Sequence, residues 1–296
     1  MTEPTSDCPS DLPPAEEHSR GGILPIIKLL AYFFTLGFAL LLAVAFVAMF
    51  IRPAGPTDLK FFAAFALPYA AVTVLVTLAF VIFVDKRPAG TLGLDRRGSW
   101  IAELWFGSIL GAALIALVFI VSYAAGWTKI TGSLFFDTPE RAVLVLVAAF
   151  VVMVSVAVAE EVIIRGYVLQ TLRWGYGTPV ALIGSSVLFG VMHLFNPGAG
   201  LHAVGGTLAA GLILAYAYLL TGRLWLPIGL HFGWNLALGP LFGFPVSGID
   251  IPAWIDQTTE GPVLWTGGEF GPEAGLLGII AVILGALAIR WFGRTR

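Results

Sequence analysis

Long apolar stretches with almost no charge recur along most of the chain. They cover residues 29–51, 61–84, 101–125, 142–159, 178–195, 203–220, 224–242 and 275–289. An apolar α-helix needs about 20 residues to cross ~30 Å of hydrocarbon, and most of these stretches are close to that length. Continuous apolar runs also differ from the alternating pattern of a membrane β-barrel. The pattern therefore predicts an all-α, polytopic transmembrane helix bundle with about eight spanning helices.

The composition strengthens this prediction. Hydrophobic residues make up 58% of the chain and charged residues 11%, against roughly 45–50% and 25% in soluble domains. Residues 1–22 are polar and rich in proline, so we predict a disordered tail followed by a single transmembrane domain at 23–296. The only cysteine, Cys8, lies in this tail, which argues against disulfides and a cysteine nucleophile. The lipid bilayer is the expected surrounding, and nucleic acid is not an expected partner.

The basic residues are distributed unevenly between the predicted loops. Cytoplasmic loops near helix ends are enriched in Lys and Arg. With the N-terminus inside, twelve of the sixteen basic residues fall on or near the cytoplasmic side. The segment 245–273, on the opposite side, carries five acidic residues and no Lys or Arg. We therefore predict that both termini face the cytoplasm.

Three polar clusters interrupt the apolar helices between positions 160 and 235. Ionisable side chains are costly in such helices and usually mark functional sites. The first cluster is Glu160-Glu161 with Arg165. Residues four apart share a helical face, so we predict a pair between Glu161 and Arg165, while Glu160 points about 100° away toward a different neighbour. The structural alternative is an ion-pair cluster at the end of the helix.

The second cluster centres on His193, which follows Phe189 by one helical turn. A lone histidine in an apolar helix is often a hydrogen-bonded core residue. His193 is nevertheless a candidate site residue, because three of the four histidines lie between positions 193 and 231. His202 is beside Gly200 in a predicted outer loop, so we interpret it as solvated and leave it outside the site.

The third cluster is His231 with Asn235, which the i, i+4 spacing places on one helical face. Gly233 between them would let another helix or a substrate backbone approach closely. Two adjacent polar donors of this kind suit a developing oxyanion. Simple interhelical hydrogen bonding is the structural alternative.

Together these residues predict hydrolysis by water, because a carboxylate, two imidazoles and an amide include no strong nucleophile. Glu160 would act as general base on a water that His193 also holds, while His231 and Asn235 stabilise the oxyanion. A metal-dependent version would use Glu160, His193 and His231 to hold a divalent ion such as zinc. The sequence lacks His-Glu-x-x-His, and Asn235 is a poor zinc ligand, so we favour the version without a cofactor.

The ordered set Glu160-Glu161-x-x-x-Arg165, Phe189-x-x-x-His193 and His231-x-x-x-Asn235 resembles the CPBP family. This family includes the CAAX prenyl endoproteases, bacteriocin-processing enzymes and abortive-infection-type proteins. The resemblance covers about residues 141–241 and implies an eight-helix intramembrane endopeptidase whose site opens to the cytoplasm. It implies catalytic roles for Glu160, His193, His231 and Asn235, with Glu161 and Arg165 as supporting residues.

The resemblance also implies a peptide or protein substrate, prenylated or otherwise associated with the membrane, and a location in a prokaryotic cell membrane. The principal alternative is a non-catalytic relative, such as a bacteriocin-immunity or scaffold protein. A proton- or ion-coupled transporter is a weaker alternative, because inverted repeats and paired broken helices are not evident. The intact motif residues favour the enzyme.

Overall fold

The computed structural model describes residues 22–51, 59–96, 98–137 and 139–295. The tail predicted at residues 1–22 lies outside the described residues except for Gly22, and so does Cys8. Four of the basic residues used to orient the bundle, Arg20, Arg52, Arg97 and Arg296, also lie outside them.

Helices make up most of the described chain, as predicted for an all-α bundle. The α-helices are α1 (Leu24–Phe50), α2 (Leu59–Ala79), α3 (Trp100–Ala124), α4 (Leu134–Asp137), α5 (Pro139–Glu161), α6 (Gln170–Tyr176), α7 (Thr178–Met192), α8 (Leu201–Thr221), α9 (Trp225–Leu236), α10 (Val263–Thr266) and α11 (Leu276–Arg294). Three π-helical stretches extend them, at Phe80–Val84, Val162–Leu169 and Ala237–Leu241. Short 3-10 turns occur at Ala89–Leu92, Gly268–Phe270 and Pro272–Ala274.

Six helical segments of the described chain are long and apolar enough to cross a membrane. The longest runs without interruption from Ala142 to Tyr176, through α5, the π-helical stretch and α6. The predicted span at 178–195 is shorter than expected, because α7 has 15 residues, whereas α9 has 12 residues and reaches Leu241 only with its π-helical extension. Large apolar side chains such as Phe34, Met49 and Phe83 are exposed on the outer helix faces. These features fit an integral, multi-pass membrane protein, while the count of eight spans and the cytoplasmic termini stay predictions.

A small β-sheet was missed by the sequence analysis, which predicted loops in both segments. Strand β1 (Thr128–Ser133) pairs antiparallel with β2 (Ile255–Thr259), with a register irregularity between Ile130 and Gly132. Lys129 and Glu260 form an ion pair of 2.7 Å across the sheet, and the ammonium group lowers the pKa of the Glu260 carboxyl. The sheet joins two loops that are about 130 residues apart in the chain, so no local sequence pattern specifies the pairing.

Helices α3 and α9 approach each other backbone to backbone at four glycines. A Cβ atom on Gly111 would meet the carbonyl oxygen of Leu230 and would lie 2.6 Å from the backbone nitrogen of Trp234. A Cβ atom on Gly233 would meet the carbonyl oxygen of Ser108. Gly107 and Gly229 make equivalent contacts one turn away. The prediction that Gly233 admits another helix is therefore confirmed, and small residues allow this contact as they commonly do in membranes.

We expect Gly111→Ala to destabilise the protein, because the added methyl group meets backbone atoms that cannot rotate away. Overpacking of this kind typically costs about 1–3 kcal/mol, which should appear as a lower midpoint of thermal unfolding in detergent. Gly37→Ala in α1 is the matched control, since nothing lies within 4 Å of its added Cβ. Equal unfolding midpoints for the two variants would contradict the proposed helix contact.

Candidate active site

The adjacent residues Glu160 and Glu161 end α5 in different surroundings. The Glu161 side chain is 0% exposed, whereas that of Glu160 is 18% exposed and lines a cavity. Consecutive helical residues point about 100° apart, so two neighbours in the chain can face different helices. The two carboxylates differ in burial and in access to the cavity, but both contact His231 in α9, so the prediction that Glu160 faces a different neighbour is only partly met.

Glu161 and Arg165 form the predicted ion pair, and both side chains are fully buried. Nη1 of Arg165 donates to Oε1 of Glu161 at 2.7 Å, and Nη2 donates to the carbonyl oxygen of Gly211 in α8 at 2.9 Å. The guanidinium carbon also lies 4.8 Å from the centre of the Phe189 ring in α7. Arg165 therefore connects the π-helical stretch after α5 to both α7 and α8.

His231 in α9 contacts both glutamates through its two ring nitrogens. Its Nδ1 lies 2.9 Å from Oε1 of Glu161, and its Nε2 lies 3.8 Å from Oε2 of Glu160. Oε1 of Glu161 accepts a hydrogen bond from Arg165, so we treat Glu161 as an ionised carboxylate, which can only accept. We therefore assign a proton to Nδ1 of His231, which donates to this oxygen. The imidazole is consequently held in one orientation, with Nε2 directed toward Glu160. The sequence analysis did not identify this contact between Glu161 and His231.

His193 lies directly after α7, in the turn that follows the helix, and not inside a helix as the sequence analysis predicted. The distance from its Nδ1 to the carbonyl oxygen of Phe189 is 2.7 Å, which assigns the proton to Nδ1. Nε2 then carries a lone pair that can accept a hydrogen bond. Phe189 thus contributes more than packing, because its carbonyl fixes His193 while its ring covers Arg165.

The four residues predicted to be catalytic line one cavity of about 230 Å³. These residues are Glu160, His193, His231 and Asn235. Apolar side chains of α5, α8 and α11 form much of the remaining wall, among them Val152, Met153, Val156, Ile213, Leu214 and Val282. A liquid water molecule occupies ~30 Å³, so the cavity has room for a water and part of a peptide. His202, which we left outside the site, is exposed and does not line it.

Four polar residues of the cavity were missed by the sequence analysis: Asn196, Thr207, Ser247 and Glu273. Glu273 had been grouped with the acidic residues of an outer loop, yet it is 9% exposed. Its position three residues before the apolar helix α11 is a signal that the sequence offers. Ser247 and Asn196 lie in loops, where no periodic pattern indicates which side faces the cavity.

The described side chains do not form the three-ligand zinc site considered from the sequence. No group of three or more His, Cys, Asp or Glu residues in the described chain is arranged to hold a metal ion. The Nδ1 atoms of His193 and His231 both face protein acceptors, which leaves Nε2 as the free nitrogen of each ring, and Nε2 of His231 lies 3.8 Å from Oε2 of Glu160.

Residues 142–237 match the model of a protein family described as type II CAAX prenyl endopeptidase Rce1-like. The matched segment contains all three motifs and extends from α5 to the first residue after α9. Comparisons with curated proteins and with solved structures found no significant match. The match covers only residues 142–237 of the 296, and over this segment it agrees with the resemblance of the three motifs to the CPBP, or CAAX protease, family.

Proposed function

We propose that the protein is an intramembrane endopeptidase that uses water as its nucleophile. The family match supports an endopeptidase of the CAAX type. The observation that carries the proposal is the arrangement of Glu160, His193, His231 and Asn235 around one cavity within an apolar bundle. A carboxylate, an acceptor nitrogen and two potential donors are the groups that hydrolysis of an amide by water requires.

In the first step, Glu160 removes one proton from a water molecule. The other proton of this water forms a hydrogen bond to Nε2 of His193. The water oxygen forms a bond to the substrate carbonyl carbon, and the carbonyl oxygen becomes an oxyanion. When this intermediate collapses, the C–N bond breaks and Glu160 returns its proton to the leaving amine. Glu160 suits this role because it is the glutamate that reaches the cavity, whereas Glu161 is committed to Arg165 and His231.

His231 and Asn235 would stabilise the oxyanion from α9, where they lie one turn apart. Nδ1–H of His231 already donates to Glu161, so a hydrogen bond from Nε2 to the oxyanion requires the doubly protonated ring. Two carboxylates at 2.9 and 3.8 Å provide the negative charge that favours such a ring. Glu161 is therefore proposed as a positioning residue, and Arg165 holds Glu161 in place.

The substrate proposed is a peptide or protein associated with the membrane, because the cavity lies within the helix bundle. Whether the substrate carries a prenyl group is decided by comparing a farnesylated peptide with the same peptide lacking the lipid.

We expect Glu160→Gln and His193→Ala each to lower kcat/KM by about 10²–10⁴, the usual contribution of general acid–base catalysis. Cleavage of a panel of hydrophobic and farnesylated peptides by the detergent-purified protein measures this effect, and thermal unfolding shows whether the fold is kept. Glu140→Gln, at the exposed start of α5, is the matched control and should retain activity. Full activity of Glu160→Gln would disprove its role as the base.

We expect Glu161→Leu to lower stability by about 3–5 kcal/mol, because Arg165 would remain as an uncompensated buried charge. The double variant Glu161→Leu/Arg165→Leu should recover most of this loss, since an apolar pair often replaces a buried ion pair without cost. Activity should stay low in both variants, because His231 loses the acceptor for Nδ1. Recovery of activity along with stability in the double variant would show that Glu161 does not position His231.

We expect cleavage to continue after exhaustive treatment with a chelator, because the proposed steps use only protein groups and water. The measurement compares the initial rate before chelation, after chelation, and after adding Zn²⁺ back. A rate that is lost and then restored by Zn²⁺ would favour the metal-dependent mechanism instead.

A further inference from the structure

Glu273 is a buried carboxylate that the proposed mechanism does not use. It lies in the 3-10 turn Pro272–Ala274, directly before α11, and lines the same cavity as Glu160. Its Oε1 accepts a hydrogen bond from the indole nitrogen of Trp234 at 3.1 Å. Its Oε2 accepts hydrogen bonds from the backbone nitrogen and the hydroxyl of Ser247, at 2.7 and 2.9 Å. One carboxylate therefore joins α9 and the loop at Ser247, which follows α9 in the chain, to the segment before α11.

The loop contacted by Glu273 is a tight turn that forms part of the cavity wall. Val246 and Ile249 exchange two backbone hydrogen bonds of 2.9 Å, and Ser247 and Gly248 between them have φ values of 48° and 83°. Positive φ is unfavourable for a residue other than glycine, so Ser247 needs support from its surroundings. The two hydrogen bonds to Glu273 supply that support, and the side chains of Val246 and Ile249 line the cavity.

The same turn is also connected to the segment that carries His193. Nδ2 of Asn196 donates to the carbonyl oxygen of Ser247 at 2.9 Å. Asn196 is three residues after His193, and Trp234 is directly before Asn235. Hydrogen bonds through Ser247 and Glu273 thus link the turn after α7 to Trp234 in α9, the neighbour of the proposed oxyanion residue Asn235. Both Ser247 and Glu273 lie beyond the family match, which ends at residue 237.

We propose that Glu273 is a positioning residue of the active site. It holds the turn Val246–Ile249 closed over the cavity, and through this turn it fixes His193 relative to Asn235. The part of this inference that concerns catalysis rests on the proposed endopeptidase function. The part that concerns the closed turn does not, and it can be tested without any substrate.

Cysteine labelling tests the closed turn directly. In a Cys8→Ser background, Ile249→Cys places a single thiol in the cavity wall, and its rate of reaction with a maleimide in detergent reports opening of the turn. Glu273→Gln offers one carbonyl oxygen in place of two carboxylate oxygens, so it cannot satisfy both Trp234 and Ser247. Because hydrogen bonds to a carboxylate are stronger than neutral ones, we expect labelling to become about tenfold faster.

Glu269→Gln is the matched control, because it makes the same chemical change on an exposed residue of the same loop. Its labelling rate should equal that of the parent protein. Ser247→Ala removes the hydroxyl contact and keeps the backbone one, so it should give an intermediate rate. If Glu273→Gln does not fold, the labelling rate of Ser247→Ala decides whether Glu273 holds the turn closed. If the Glu273→Gln and Ser247→Ala variants are both labelled as slowly as the parent protein, the proposal is overturned.

Kinetics then separate positioning from a purely structural role. With Ile249 intact, Glu273→Gln should lower kcat by about tenfold at a nearly unchanged KM, because displaced His193 and Asn235 act in the transition state. Glu269→Gln should leave both constants unchanged. Faster labelling with an unchanged kcat would overturn the catalytic part of the inference. Absence of cleavage by the parent protein would instead contradict the proposed function, and labelling alone would then decide the role of Glu273.

Discussion

The buried ion pair between Glu161 and Arg165 is the interaction on which the rest of the site depends. Neither side chain is exposed, so each charge is compensated by the other and by the groups around them. Arg165 also donates to Gly211 and lies against the Phe189 ring, while Glu161 faces Nδ1 of His231. Four helical segments therefore meet at one pair of charges. Displacement of any of these segments would leave a buried charge without its partner. An unpaired charge inside an apolar bundle strongly lowers the free energy of unfolding.

This pair also accounts for the different roles proposed for the two adjacent glutamates. Glu161 is held by two strong partners and does not reach the cavity, so it can orient His231 but cannot accept a proton from a cavity water. Glu160 reaches the cavity and has a longer contact of 3.8 Å with His231. The difference follows from the ~100° rotation between neighbouring positions of a helix. Glu161, on one face of α5, is buried in the ion pair, and Glu160, on the neighbouring face, reaches the cavity.

The helices and the polar clusters could be predicted from the sequence, because both follow local spacing. Apolar runs indicate helices, and the i, i+4 rule predicted the Glu161–Arg165 pair. Contacts between distant segments could not be predicted in this way. The β1–β2 pairing, the contact of Glu161 with His231, and the hydrogen bonds of Glu273 each join residues at least 26 positions apart. Nor could spacing show that α7 ends before His193, because the apolar run continues for several residues past that point.

The glycines of α9 give the polar site a rigid support. Gly229 and Gly233 are one turn apart, as are His231 and Asn235, and the two pairs are offset by two residues, or about 200°. The face of α9 opposite the cavity therefore rests directly on the backbone of α3. No side chain that could change rotamer lies between the two helices at these positions. Since oxyanion donors act through fixed geometry, a helix supported by backbone contacts is well suited to carry them.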